Sequence, residues 1–226
     1  MLYDNDILGS KQRINQFLDL VESLNIKKNF IAYASVEGIL ENVEALRRFK
    51  TLGLKALLVG YETFNEEEMA YYTKKTSTLD SQKTSLLLKE LGIDVWASFM
   101  AHPDWTKKDF KSFRRHVKLL APQISSVSPL TPFPNLPLYK EFKERLIFKK
   151  DAYEKWSFGQ VTIHPGKMSL RQYYYQMLLT NIYINLSLNQ STDMLKRFGL
   201  SNMYRLSIGS LKASVKYIGL MIGTSE

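Results

Sequence analysis

The chain has 226 residues, of which 45% are hydrophobic and 23% charged, and its formal net charge is +9. This composition is typical of a soluble globular protein, and the length suits one large domain or two small ones. The sequence contains no cysteine. That excludes disulfides, thiolate nucleophiles, zinc ribbons and any cysteine-ligated iron–sulfur cluster held by these residues alone.

Charge is divided unevenly along the chain. Residues 1–106 carry 12 Lys+Arg and 15 Asp+Glu, whereas residues 107–226 carry 19 and 7. An anionic partner would therefore bind the second half, although a solvated basic face is the simpler interpretation. The acidic start of the chain does not match a secretory signal, so we expect a cytoplasmic location. Residues 172–192 are uncharged but rich in Asn and Gln, which favours a buried or interfacial helix over a membrane span.

Apolar runs predict five strands in residues 1–150, and capping residues predict helices between them. The strands are Leu2–Leu8, Phe30–Ala34, Lys55–Gly60, Ile93–Ala101 and Ile124–Pro129. The helices begin after Ser10, Asn42, Asn65, Asp80 and Thr106, and a further helix covers Leu138–Phe148. This spacing suits βαβ units, so we predict an α/β domain over residues 1–150 that is either an open parallel sheet or part of a barrel.

Residues 151–226 have a different character and are predicted as a mainly helical C-terminal extension. One short strand, Gln160–Ile163, precedes three helices. These helices are predicted over Ser169–Leu188, Asp193–Phe198 and Ser210–Ile222.

Acids, hydroxyls and a glycine follow the predicted strands, where parallel α/β folds bind ligands. Glu62 comes directly after an apolar strand and Gly60, and could accept hydrogen bonds from a ribose diol or an ammonium group. The alternative is an acid at the start of the helix capped by Asn65. Asp4 and Asp6 alternate along a strand, so we expect them to face opposite ways or to be solvated.

Standard catalytic and metal motifs are missing from the sequence. It has no GxGxxG after a strand, no GxxxxGK[ST] and no HExxH. His102, His116 and His164 lack metal-ligand spacing, and His116 is predicted at the surface. We therefore predict no metal ligands, and no RNA-binding motif supports a nucleic acid as partner.

Taken in order, the strand ends resemble the barrel of radical S-adenosylmethionine (SAM) enzymes, in the branch that usually carries a cobalamin-binding domain. Within that branch the hopanoid C-3 methylase group is the most similar. The matching stretches are Tyr3-Asp4-Asn5, Ala32-Tyr33-Ala34, Gly60-Tyr61-Glu62-Thr63, Lys75-Thr76, Ala97-Ser98-Phe99, Pro103-Asp104-Trp105, Asp109-Phe110, Leu130-Thr131-Pro132-Phe133-Pro134, Leu138-Tyr139 and Pro165 with Lys167-Met168-Ser169.

The resemblance implies a partial (βα)6-type TIM-like barrel that starts at the family's second strand. The family's first unit carries a CxxxCxxC loop whose thiolates hold a 4Fe-4S cluster, and reduction then cleaves SAM to a 5′-deoxyadenosyl radical. Cobalamin-dependent members pass a methyl group to substrate through the corrin. The implied cofactors are therefore SAM, a 4Fe-4S cluster whose cysteines are missing here, and cobalamin.

The resemblance also assigns candidate SAM-binding residues on the strand ends. By position they are Asp4, Asn5, Tyr33, Gly60, Glu62, Ser98, Met100 and Thr131. Glu62 would lie near the SAM ribose or amino group. Where the family has an arginine after the second strand found here, this chain has Ser35, which removes a guanidinium expected on the SAM carboxylate.

Three functional hypotheses follow, of which the third is an ordinary α/β enzyme with an unrecognised site. In the first, the chain is the C-terminal part of a radical SAM enzyme, inactive alone, with a separate chain supplying the CxxxCxxC and cobalamin-binding parts. Its substrate would be lipid-like, with peripheral membrane contact through the basic half. In the second, the chain is a non-catalytic module that binds an anionic ligand such as RNA, phosphate or a lipid headgroup.

Overall fold

The computed structural model describes residues 1–72, 76–188 and 191–223, and they form an α/β protein. It contains two compact units, Met1–Phe99 with His116–Ser125, and Met100–Arg115 with Ser126–Glu226. Lys75, part of one matching stretch, lies outside the described residues.

A four-stranded sheet runs through the α/β part of the chain. Its strands are β1 (Phe30–Ser35), β2 (Leu54–Glu62), β3 (Asp94–Ala101) and β4 (Ile124–Pro129), in the order β1-β2-β3-β4. The β1–β2 and β2–β3 pairs are parallel. Helix α1 (Lys11–Ser23) precedes β1. The strands are connected by α2 (Val36–Glu41), α3 (Val43–Thr51), α4 (Glu66–Tyr71), α5 (Thr78–Glu90) and α6 (Lys107–Leu120).

Local chemistry explains where the helices begin. The Ser10 side chain caps α1, as predicted, and Thr106 and Asp109 form the predicted capping box before α6. The prediction that Asp80 caps α5 is wrong. Ser77 is the cap, and Asp80 is the third helical residue, whose carboxylate accepts a hydrogen bond from the Ser77 backbone N–H.

The predicted strand Leu2–Leu8 is not a strand of the sheet. Its backbone donates only two hydrogen bonds to β1, from Leu2 N to Ile31 O at 2.8 Å and from Ile7 N to Tyr33 O at 3.0 Å. A turn at Asp6 breaks the ladder, because the Asp6 carboxylate accepts the backbone N–H of Leu8 at 3.1 Å.

The first part of the second unit has less regular secondary structure than predicted. The helix expected over Leu138–Phe148 is reduced to α7 (Pro137–Glu141) and a 3-10 turn, Lys143–Arg145. The strand expected at Gln160–Ile163 is a single antiparallel bridge between Leu146 and Ile163.

Two long helices complete the chain. Helix α8 (Leu170–Tyr183) continues as a π-helix, Ile184–Leu188, in agreement with the predicted helix. The two helices predicted after residue 190 are present as two helical segments of α9 (Ser191–Gly223), which meet at a non-helical kink at Gly199. Among the described residues, no helix is long and apolar enough to cross a membrane.

Candidate functional site

The first three strands have one buried face and one open face. From residue 32 of β1, residue 57 of β2 and all along β3, every second residue is buried, and the residues between them are half-buried or exposed. The strand register aligns the open-face residues into rows. Tyr33, Leu58 and Trp96 form one row, and Ser35, Gly60 and Ser98 form the next row towards the carboxyl ends. We call this second row the small-residue row.

Glu62 has a strained backbone at the end of β2. Its φ is +65°, in the left-handed region that side chains disfavour, and Thr63 N donates a hydrogen bond across it to Tyr61 O at 2.8 Å. The three residues therefore form a tight turn. A strained backbone of this kind typically persists only where the surrounding structure enforces it, often at functional sites. The turn shifts the register so that Glu62 lies opposite Phe99.

The turn places the Glu62 carboxylate over the small-residue row. A Cβ built on Gly60 would lie 2.8 Å from Glu62 Oε1. Any larger residue at position 60 would therefore displace the carboxylate. Glu62 is not an acid of the helix start, since it ends β2 and α4 begins only at Glu66.

The two neighbours of Glu62 are anchored on the buried side of the sheet. The Tyr61 hydroxyl lies 2.7 Å from Ser85 Oγ, and its ring stacks on Phe99 with centroids 5.6 Å apart. Burial raises the pKa of Tyr61 to about 12. Thr63 is completely buried and donates a hydrogen bond to the Glu68 carboxylate. These anchors enforce the strained turn between them.

Beside β1, Asp6 rather than Asp4 reaches the carboxyl end of the strand. Ser35 Oγ donates a hydrogen bond to Asp6 Oδ2 at 2.5 Å. Asp4 instead accepts Arg13 Nη2 at 3.2 Å, and the same nitrogen donates to the Asp6 carbonyl at 2.7 Å. Sequence reasoning named Asp6 only as an alternating strand residue and missed Arg13, because the contact between Asp6 and Ser35 joins residues 29 positions apart.

The predicted site residues therefore divide into two groups. In the first unit, Tyr33, Gly60, Glu62 and Ser98 share the open face of the sheet. Half-buried Asp4 and exposed Asn5 lie between Leu2 and Ile7, the two residues that bond to β1. In the second unit, Met100 is half-buried at the end of β3, and Thr131 is buried with its hydroxyl bonded to Pro129 O at 3.1 Å.

The second unit also has an ion-pair cluster at a matching stretch. Arg145 donates two hydrogen bonds to the Asp104 carboxylate, at 3.1 and 2.5 Å, and two to His164 O. Gly166 N donates to Asp104 Oδ1 at 2.9 Å, and a Cβ at Gly166 would lie 2.4 Å from that oxygen. The hydrogen bonds from Arg145 hold the pKa of Asp104 below its ordinary value. The cluster joins the segments around residues 104, 145 and 166. Both oxygens of the Asp104 carboxylate already accept hydrogen bonds within it.

Metal ligands are not grouped in the part of the chain that the structure describes, where no three His, Asp or Glu side chains could hold one ion. His116 is 8% exposed, so the prediction of a surface histidine is wrong. Desolvation lowers the pKa of His116, whose ring lies 6.4 Å from those of Phe64 and Phe99. Its burial identifies His116 as a core residue.

Comparison with known proteins shows which enzymes the chain resembles. The chain is 24% identical over 155 residues to the hopanoid C-3 methylase of Methylococcus capsulatus, covering 69% of this chain and 29% of the relative. It is 20% identical over 188 residues to the bacteriochlorophyllide d C-8(2)-methyltransferase of Chlorobaculum tepidum, covering 81% and 41%. The chain is similar to the cobalamin-type radical SAM enzymes.

The fold is also similar to that of a solved enzyme. The cobalamin-dependent SAM radical enzyme OxsB, solved with aqua-cobalamin and SAM bound, superimposes with a TM-score of 0.60 at 12% identity, covering 94% of this chain and 38% of OxsB. No protein-family profile matches the chain. The chain spans less than half the length of each of these relatives.

Proposed function

We propose that these residues are the SAM-binding part of a cobalamin-dependent radical SAM enzyme, built as a partial (βα)6-type barrel around the open face of the sheet. The observation that carries the proposal is the strained Glu62 turn, which holds a carboxylate over Gly60 on that face. In a barrel this face would be the interior, where ligands bind at the carboxyl ends of the strands.

The residues on the open face fit the nucleoside and amino acid parts of SAM. The Glu62 carboxylate would accept hydrogen bonds from the ribose hydroxyls or the ammonium group. Ser98 is small and exposed, which leaves room for a planar base, and the Tyr33 and Trp96 rings of the adjoining row supply apolar surface. SAM supplies the methyl group or the 5′-deoxyadenosyl group that the family's chemistry uses.

A 4Fe-4S cluster does not fit the residues present, because the 226 residues contain no cysteine. We propose that thiolates from outside these residues would have to hold the cluster, and that the chain alone does not cleave SAM. A lipid-like substrate and methyl transfer through cobalamin belong to the same proposal, by analogy with the methyltransferases that the chain resembles.

Equilibrium dialysis of the purified chain against radiolabelled SAM tests this function. We expect weak binding, with a Kd of roughly 0.1–1 mM, since no iron is present to bind the amino and carboxylate groups. Glu62→Gln should weaken binding at least about fivefold, because a charge-assisted hydrogen bond is lost. Glu90→Gln, at the exposed end of α5, is the matched control and should leave binding unchanged.

Two results would contradict the proposal: SAM binding that Glu62→Gln leaves intact, or no binding at millimolar SAM. The alternative of an anion-binding module would be supported if the chain does not bind SAM but binds RNA or inorganic phosphate, with an affinity that falls steeply as salt rises.

A further inference from the structure

The last helix of the chain presents an apolar stripe to solvent. After the kink at Gly199, six large apolar side chains of α9 are each between 41% and 78% exposed; they are Leu200, Tyr204, Leu211, Val215, Ile218 and Ile222. At 100° per residue, these positions fall within about 60° of one another on the helix surface. We call them the α9 stripe.

The opposite flank of α9 packs against its own unit. Tyr217 is only 4% exposed, and its ring lies 6.1 Å from that of Tyr174 on α8. Burial raises the pKa of both tyrosines. The helix is therefore held by one face, and the α9 stripe is a second apolar face that core packing does not require.

Basic residues border the α9 stripe on both sides. On one side Arg205, Lys212 and Lys216 are exposed, in an arc that starts about 60° beyond the stripe. On the other side, Lys107 and Arg171 line a cleft of about 500 Å³ together with Met221 of α9. The sequence from residue 170 to 223 holds six basic residues and one acid, Asp193.

Helix α8, which packs on α9, adds a similar pattern. Three positions of α8 and one of the π-helix that continues it, spaced four, three and four residues apart, are 37% to 80% exposed; they are Tyr175, Leu179, Ile182 and Leu186. Tyrosines such as Tyr175 and Tyr204 suit a boundary between apolar and aqueous phases, since the ring is apolar and the hydroxyl polar.

We propose that α9 binds flat on the surface of an anionic lipid bilayer through the α9 stripe. An apolar face bordered by Lys and Arg is the pattern of helices that lie in the headgroup region. The long basic side chains can reach phosphates while their methylene stems cover apolar surface. Pairing of two α9 stripes from separate copies would bring the same cations together, whereas anionic headgroups neutralise them. This inference stands independently of SAM binding.

Co-sedimentation with vesicles tests the proposal, using the full chain. Vesicles of phosphatidylcholine with about 30% phosphatidylserine should bind the protein, and pure phosphatidylcholine should bind it much less. The variant Leu211→Gln/Ile218→Gln should lower the partition constant at least about tenfold, because apolar surface no longer enters the headgroup region.

Two further variants separate the causes. Lys212→Gln/Lys216→Gln should lower binding to the anionic vesicles about tenfold and leave binding to neutral ones unchanged. Leu79→Gln/Leu119→Gln removes two leucines that are 56% and 72% exposed on other helices, and should bind as the wild type does.

The proposal fails if the wild-type chain does not sediment with anionic vesicles, or if the leucine control loses as much binding as the stripe variant. It also fails if the wild type is a dimer by analytical ultracentrifugation that Leu211→Gln/Ile218→Gln converts to a monomer. In that case the α9 stripe is a contact between copies of the chain.

Discussion

The Tyr61–Ser85 hydrogen bond should hold the end of β2 in place, and a double-mutant cycle measures how strongly. The Tyr61 side chain is 2% exposed and Ser85 is 8% exposed, with 2.7 Å between the two oxygens. Water therefore cannot readily replace either partner when the other is removed. We expect Tyr61→Phe and Ser85→Ala each to reduce the free energy of unfolding by about 1–2 kcal/mol.

The double variant distinguishes this bond from simple packing. With both hydroxyls gone, no buried polar atom is left unpaired, so Tyr61→Phe/Ser85→Ala should cost less than the sum of the single variants by about 1–2 kcal/mol. Urea unfolding followed by far-ultraviolet circular dichroism at pH 7 gives all four values. The reasoning is refuted if the loss in the free energy of unfolding of the double variant equals the sum of the losses of the two single variants.

The pH dependence provides an independent check on Tyr61. Its pKa is raised from 10.0 to about 12 by burial, so the folded state keeps the phenol protonated where the unfolded state has lost its proton. The contribution of this group to the free energy of unfolding is complete below pH 10. It falls by about 2–3 kcal/mol as pH rises towards 12. Tyr61→Phe should lose less stability than the wild type over that range.

The remaining predictions concern the strained turn and the ion-pair cluster. Glu62→Gly should relieve a positive φ that costs a non-glycine residue roughly 1 kcal/mol, so unfolding by urea should show stability equal to or above the wild type while SAM binding falls. A clear loss of stability would mean that the turn is not strained. Asp104→Asn should reduce the free energy of unfolding at pH 7 by about 1–2 kcal/mol. The loss is no larger because Asp104 and Arg145 are both about one-third exposed, and solvent screens their attraction. Since Arg145 lowers the Asp104 pKa, this stabilisation is lost as pH falls through the lowered value, and the two proteins should begin to converge below about pH 4. A difference that persists at pH 2 would contradict the assignment.

Local chemistry was sufficient to predict most helix starts and all four strands of the sheet. The Ser10 cap, the Thr106–Asp109 box and the apolar run at Lys55–Gly60 depend on residues a few positions apart. The error at Asp80 is of the same kind, since Ser77 and Asp80 bond to each other and either could have been the cap.

Features that depend on distant residues could not be predicted. The turn at Asp6 forms because Ser35 binds its carboxylate, and the Asp104–Arg145 pair joins residues 41 positions apart. The positive φ of Glu62 follows from the anchoring of Tyr61 and Thr63 on the buried face, which no local pattern encodes. The sequence indicated Glu62 as a candidate, and the structure supplies the geometry that makes it one.

Hydrogen–deuterium exchange of the chain with and without SAM tests the central claim most directly, because it locates the ligand. The account predicts slower exchange with SAM in residues 58–64 and 94–100, which contain the Glu62 turn and the neighbouring end of β3. Protection there should disappear in Glu62→Gln at the same SAM concentration. Protection confined to other segments, or unchanged exchange at saturating SAM, would contradict the assignment of this site.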